Sequence, residues 1–218
     1  MDRLNDIANS ISGITDGYNE IKRLLAQGIK EIQIKGEKVY LNHNQMLRIY
    51  ALSKNETQAK ILESMGYDEA KINEIKGILG DQVVEFADQV VDYLSNTYYE
   101  SVNDVYKYVN NVNLGYVNNY FPTRTINDKI DADLLAKGDF NGIFDAETSP
   151  ALKERTNKVK DIDLGVAFTS ALDDHIKSME RYKAYAEGVK KLNTLFSVKS
   201  VNVFMDQAAV KRAMKLNV

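Results

Sequence analysis

Apolar positions fall into two long stripes at helical spacing, separated by a stretch that breaks the period. From Asp81 onward, Val83, Ala87, Val90, Leu94, Thr97, Ser101, Val105, Tyr108 and Val112 step by threes and fours, which is the spacing of one face of an α-helix. The run predicts a rod of roughly 45 Å. Thr97 and Ser101 weaken its seam and permit close backbone approach. The segment from Asp163 to Phe196 repeats the pattern with Leu164, Phe168, Ala171, Leu172, His175, Met179, Tyr182, Ala186, Val189, Leu192 and Phe196. Heptad-like stripes of this length require a helical partner. Two of them in one chain predict a pair of long antiparallel helices.

Shorter elements precede the rods. Leu4, Ile7, Ile11 and Ile14, then Ile21, Leu24, Leu25 and Ile29, keep helical spacing, with Gly13 and Gly17 interrupting between the two sets. Apolar and polar residues alternate from Glu31 to Leu41 around Lys35-Gly36-Glu37, the period of a strand folding back on itself, and this predicts a β-hairpin at 31–41. Asn42 or Asn44 then caps a helix carrying Met46, Leu47, Ile49, Tyr50 and Leu52. Asn55 caps the segment Glu56 to Met65, which Gly66 closes, and Asp68 opens a helix with Ile72, Ile75 and Leu79 inward that ends at Gly80.

The predicted class is all-α, with residues 1–80 a cluster of short helices around the hairpin and 81–218 a long-helix stalk. An aromatic connecting loop at 113–149 is held by Tyr116, Tyr120 and Phe121 beside Pro122. Ser149-Pro150 starts a short helix with serine as cap and proline at its first position. A final helix runs from about Lys199 to Lys215.

Composition narrows the roles. The 28 basic and 31 acidic side chains leave a formal net charge of −3 over 218 residues, so no global field draws the chain to nucleic acid or anionic lipid. With no cysteine there is no disulfide framework, thiolate metal site or cysteine nucleophile. No apolar run approaches the roughly 18 residues of a membrane span, and MDRLNDIANS lacks the apolar core of a signal peptide. The expectation is a protein without a membrane span that is not conventionally secreted.

Candidate chemistry is sparse. The two histidines are His43, at a helix start, and His175, on the apolar stripe of the second rod, where a core role is the simpler reading. Asp173-Asp174 diverge on a helix, and Asp131 with Asp133 is a common loop pairing. The stretch Asp139-Phe-Asn141-Gly142-Ile-Phe-Asp145 lacks the spaced acids and terminal glutamate of a calcium loop. Gly13-Ile-Thr-Asp-Gly17 lacks the strand and lysine of a phosphate loop. Glu100 follows a tyrosine pair and reads as a solvated helix charge, although one acid can serve a glycosidase. Tyr98, Tyr99, Tyr106 and Tyr108 are interleaved with Glu100, Asp104 and Lys107 rather than with a basic series, so helix packing explains them better than stacking on single strands. No catalytic residue, cofactor or metal is expected.

The order of parts carries a resemblance. A hairpin with LNHNQMLRIYAL is followed by YYESVNDVYKYVNNVNLGYVNNYFPTRT, then SPALKERT, then DDHIKSMERYKAYAEGVKKLNTLF. This resembles a helical region that recurs within very large tailed-phage proteins of the polyvalent or virion-ejected kind, over about residues 31–200. Its most specific elements here are Tyr98, Tyr99 and the exit Asn119-Tyr120-Phe121-Pro122; weaker ones are Lys153-Glu154-Arg155 and Tyr182, Tyr185 and Ala186. No catalytic residue is known for that region. The resemblance implies a phage virion-associated or ejected cargo protein, or a scaffold module of a longer one, in the virion or the host cytoplasm. Its partners would be other virion proteins or further copies of itself, joined through the long helices. The interaction residues so expected are Tyr98, Tyr99, Tyr116, Asn119, Tyr120, Phe121, Pro122 and His175. The alternative is an enzyme domain with an acidic site, such as a peptidoglycan-cleaving transglycosylase. Nucleic-acid binding is not favoured; it would need Lys190, Lys191, Lys199, Lys211, Arg212 and Lys215 on one face.

Overall fold

A computed structural model describes residues 17–123 and 162–197. The expected helix over 4–14, the loop beyond residue 123, the Ser149-Pro150 helix start and the helix at 199–215 lie outside the described residues. About 70% of the described residues are helical, and one two-stranded antiparallel hairpin accompanies the helices among them. In chain order these are α1 Gly17–Leu25, β1 Ile29–Ile34, β2 Glu37–Asn42, α2 His43–Ser53, α3 Glu56–Met65, α4 Glu69–Leu79, α5 Asp81–Tyr93, a π-helical turn Leu94–Tyr98, α6 Tyr99–Asn110 and α7 Phe168–Ser197. The described residues form two compact units, one of 17–98, 116–123 and 162–173, the other of 99–115 and 174–197.

The first unit is built around α2, whose residues Met46 to Leu52 are all buried and which packs against α3, α4 and α5. Its start is a capping box: the Asn42 side chain accepts the Gln45 amide, and the Gln45 side chain accepts the Asn42 amide. Two of the first-turn donors that a helix leaves open are thereby satisfied. Asn55 caps α3 by accepting the Thr57 and Gln58 amides, Asp68 caps α4 by accepting the Lys71 amide, and Gly66 closes α3 at φ +101°, a left-handed conformation that glycine adopts without steric cost.

The hairpin spans Ile29–Asn42, slightly more than the predicted 31–41, with Ile34 opposite Glu37 across a two-residue turn. Both turn residues have positive φ, Lys35 at +51° and Gly36 at +84°, as a type I′ turn demands. Ile32, Ile34 and Leu41 face the core. The hairpin tip rests on the end of α3, where Lys35 Nζ donates to the Ser64 carbonyl at 2.6 Å. A methyl group on Gly66 would stand 2.7 Å from Ile34 Cγ2.

In the first unit α5 buries Val83, Val84, Phe86, Ala87, Val90 and Val91, and the π-helical turn after it buries Leu94, Ser95 and Tyr98. Val83, Ala87, Val90 and Leu94 are buried as the spacing predicts; beyond them Tyr98 and Val102 are buried, while Thr97 is exposed. The expected inward placement of Thr97 and Ser101 is corrected: in the first unit Thr97 is exposed and Tyr98 buried, and in the second Ser101 is half-buried and Val102 buried.

The second long helix begins at Phe168, later than Asp163, because Asp163 Oδ1 accepts the Gly165 amide in a turn. Its buried stripe includes Phe168, Ala171, Leu172, Ile176, Met179, Tyr182 and Ala186. Within the second unit, Lys183 Nζ donates to Ser101 Oγ at 3.4 Å, and Lys190 Nζ donates to the Tyr108 carbonyl, both across 82 residues. Equal separation at two points means that α6 and this part of α7 run in the same direction. The expected antiparallel pairing is corrected accordingly. Short loops make neighbouring helices antiparallel, whereas a long connection leaves either sense open, and here α6 ends at Asn110 and α7 starts at Phe168.

Candidate functional site

The tyrosine-rich exit folds into a strap, residues 116–121, fastened to the first unit largely by side-chain-to-backbone hydrogen bonds. Asn119, at φ +49°, donates from Nδ2 to the Lys54 carbonyl at 3.0 Å, and Asn55 Nδ2 donates to the Asn118 carbonyl at 2.8 Å. Gln58 Nε2 donates to the Phe121 carbonyl at 3.3 Å. The Tyr120 amide donates to Ser95 Oγ at 2.7 Å, and the Tyr116 hydroxyl donates to Asn96 Oδ1 at 3.3 Å. At the end of the strap the fully buried Phe121 ring stacks on Phe168, centroids 4.6 Å apart and planes 18° from parallel; Phe168 in turn lies 6.1 Å from Phe86. Pro122 is buried next to it.

The remaining sequence candidates serve other contacts. Tyr98 is buried with its ring 5.6 Å from Tyr93. In the second unit the Tyr99 hydroxyl donates to the Leu114 carbonyl at 2.7 Å. His175 is half-buried on α7. Sequence reasoning missed Ser95 and Gln58, which nothing in a periodicity distinguishes. It found Asn55 only as a cap, although the same side chain caps α3 with its oxygen and holds the strap with its nitrogen.

Arg48, also unanticipated, is fully buried in α2; its Nη1 donates to the Val166 carbonyl at 3.2 Å and to the Asp163 carbonyl. Beside it, Asn44 and Thr169 exchange hydrogen bonds of 3.0 and 3.1 Å. These polar contacts fix the turn from which α7 starts.

Titratable groups meet at Tyr50, Lys54 and Asp88. The Tyr50 hydroxyl and Lys54 Nζ both donate to Asp88 Oδ1, at 2.8 and 2.7 Å. A lysine one helical turn from a phenol can lower its pKa, but here burial, and then the hydrogen bond to Asp88, raise that of Tyr50. Burial pulls Lys54 down, yet its hydrogen bond to Asp88 and the neighbouring charges leave it raised overall. Both groups hold their protons more firmly, which suits a tether better than a proton shuttle.

A cleft of about 270 Å³ is lined by Leu24, His43, Leu79, Gly80 and Asp81 among others. His43 Nδ1 donates to the Gln27 carbonyl at 2.7 Å, and no glutamate lines the cleft. Glu100 is exposed on α6. Among the described residues no group of three potential metal ligands converges, and no helix is long and apolar enough to cross a membrane.

The second unit exposes apolar surface. On α7, Tyr185 is 67% exposed, Leu192 52% and Leu195 50%, with Gly188 exposed between them; Tyr108 on α6 and Val112 just beyond it are 52% and 57% exposed. Positions 185, 188, 192 and 195 step by three, four and three, the seam spacing of a two-helix contact. No family model, no curated protein and no solved structure matches this chain.

Proposed function

We propose that this chain is a structural interaction protein, a phage virion-associated or ejected cargo protein or a scaffold module of one, that docks a partner helix along α7. The observation that carries the reading is the exposed seam of Tyr185, Gly188, Leu192 and Leu195. Soluble proteins seldom leave such a stripe uncovered unless something binds it. Its flanks favour an acidic partner, since residues 174–197 hold Lys177, Arg181, Lys183, Lys190 and Lys191 against Asp174, Glu180 and Glu187, and Glu187 is already paired with Lys191 at 2.5 Å. The phage setting rests on the resemblance through Tyr98, Tyr99 and the Asn119–Pro122 exit.

The alternative of an acidic-site hydrolase calls for a carboxylate held in a cleft. The seam supports the binding role instead. The test is quantitative mass spectrometry of purified particles made with the parent chain or with Leu192→Glu/Leu195→Glu. The parent co-purifies at a fixed stoichiometry and the variant is depleted at least tenfold; equal incorporation of the two removes the seam from the account.

A further inference from the structure

Most cations on the part of α7 that lies in the second unit are already engaged there. Lys183 pairs with Glu180 at 3.0 Å and donates to Ser101 Oγ, and Lys191 pairs with Glu187. Lys190 Nζ lies 4.7 Å from the centre of the Tyr108 ring and donates to the Tyr108 carbonyl. Lys177 and Arg181 differ: both are exposed, and among the described residues neither has a hydrogen-bond or ion-pair partner.

These two residues stand in line with the seam. Lys177 precedes Arg181 by four residues, and Arg181 precedes Tyr185 by four, so all three share one face of the helix. Positions 177, 181, 185, 188, 192 and 195 trace a single exposed stripe along about 27 Å of helix. It is basic over its first two positions and uncharged over the other four; Asp174, three residues before Lys177, bounds the basic stretch. Like charges one turn apart repel and add nothing to the helix that carries them. They suit a partner that brings carboxylates: Arg181 can take one through two parallel N–H···O bonds, and Lys177 a second as a point charge. Charge at one end of the stripe also fixes the register of the docked helix, which apolar residues at a repeating spacing leave open.

We propose that Lys177 and Arg181 form a carboxylate clamp that selects and registers the helix docked on α7. The occupant is an amphipathic helix of a partner protein, with two carboxylates about one turn apart at one end and apolar residues at three- and four-residue spacing beyond them. The proposal rests on the α7 seam being a docking site, and adds the element that tells one apolar helix from another.

Three dye-labelled synthetic helices share one leucine seam and carry two glutamates, two glutamines or two lysines one turn apart at one end. Each is titrated with the full chain and read by fluorescence anisotropy. The parent binds the glutamate helix at least tenfold tighter than the glutamine helix, and added salt narrows the difference. Lys177→Glu/Arg181→Glu reverses the preference, so that the lysine helix binds best, while its circular dichroism matches the parent's and its affinity for the glutamine helix stays within about twofold. Leu192→Glu/Leu195→Glu loses all three helices. Equal affinity of the parent for the glutamate and glutamine helices overturns the clamp and leaves the seam standing, whereas no binding of any helix overturns both. Charge-dependent binding to phosphatidylcholine–phosphatidylserine vesicles, with none to the glutamate helix, also overturns the proposal and assigns the two cations to a lipid surface.

Discussion

Replacing Phe121 with alanine tests whether the strap is part of the folded core. The ring is fully buried and stacked at 4.6 Å on Phe168. Truncating a buried phenylalanine costs about 3–5 kcal/mol through lost transfer energy and the cavity left behind. Of that, about 0.5–1.5 kcal/mol belongs to the aromatic pair itself. For a chain of this size each kcal/mol lowers the melting temperature by about 2–4 °C, so the shift is about 6–20 °C. The assay is urea unfolding of the parent, Phe121→Ala, Phe168→Ala and the double variant, followed by circular dichroism. The midpoint falls in each single variant, and the double variant loses less than the sum, because the rings share one contact. A loss below about 1 kcal/mol for Phe121→Ala, or strict additivity with Phe168→Ala, refutes the idea that this ring pair pins the strap.

Three further expectations follow from local geometry. Gly66→Ala lowers stability by about 1–3 kcal/mol, since a side chain at φ +101° is strained and its Cβ meets Ile34 Cγ2 at 2.7 Å; Gly77→Ala, in the open on α4, raises it by about 0.5 kcal/mol in the same thermal melts. Asn42→Ala removes the capping box of α2 and costs about 1 kcal/mol, read from the urea midpoint. Tyr50 and Lys54 have folded pKa values above their unfolded ones. Their contribution is full below about pH 10 and is lost as pH rises through the raised values. The urea midpoint therefore drops above about pH 10, and Tyr50→Phe with Lys54→Met flattens that drop.

Much of the local structure was legible because it depends on near neighbours. Asn42, Asn55 and Asp68 cap helices because their side chains reach amides two or three residues on. Lys35-Gly36 turns the hairpin because alternating residues on both sides leave two places between them. The π-turn at Leu94–Tyr98 and the burial of Tyr98 in place of Thr97 were not legible, since the two residues are neighbours and either fits a stripe of threes and fours. The shared direction of α6 and α7 was equally hidden: two stripes say that helices pair, while their sense shows only in contacts such as Lys183 with Ser101 and Lys190 with Tyr108. Of the strap, the rings of Tyr116, Tyr120 and Phe121 stood out, but the partners that fasten it, Ser95, Asn96 and Gln58, are ordinary polar residues far away in sequence.

The central claim, a docking seam on α7, is tested most directly by particle content. Parent chain and Leu192→Glu/Leu195→Glu, matched in helicity and melting temperature, are expressed in cells producing the particles, and each is quantified against a structural virion protein. A parent present at constant stoichiometry and a variant reduced at least tenfold is the predicted result. A parent absent from the particles, or a variant packaged as well as the parent, contradicts the account.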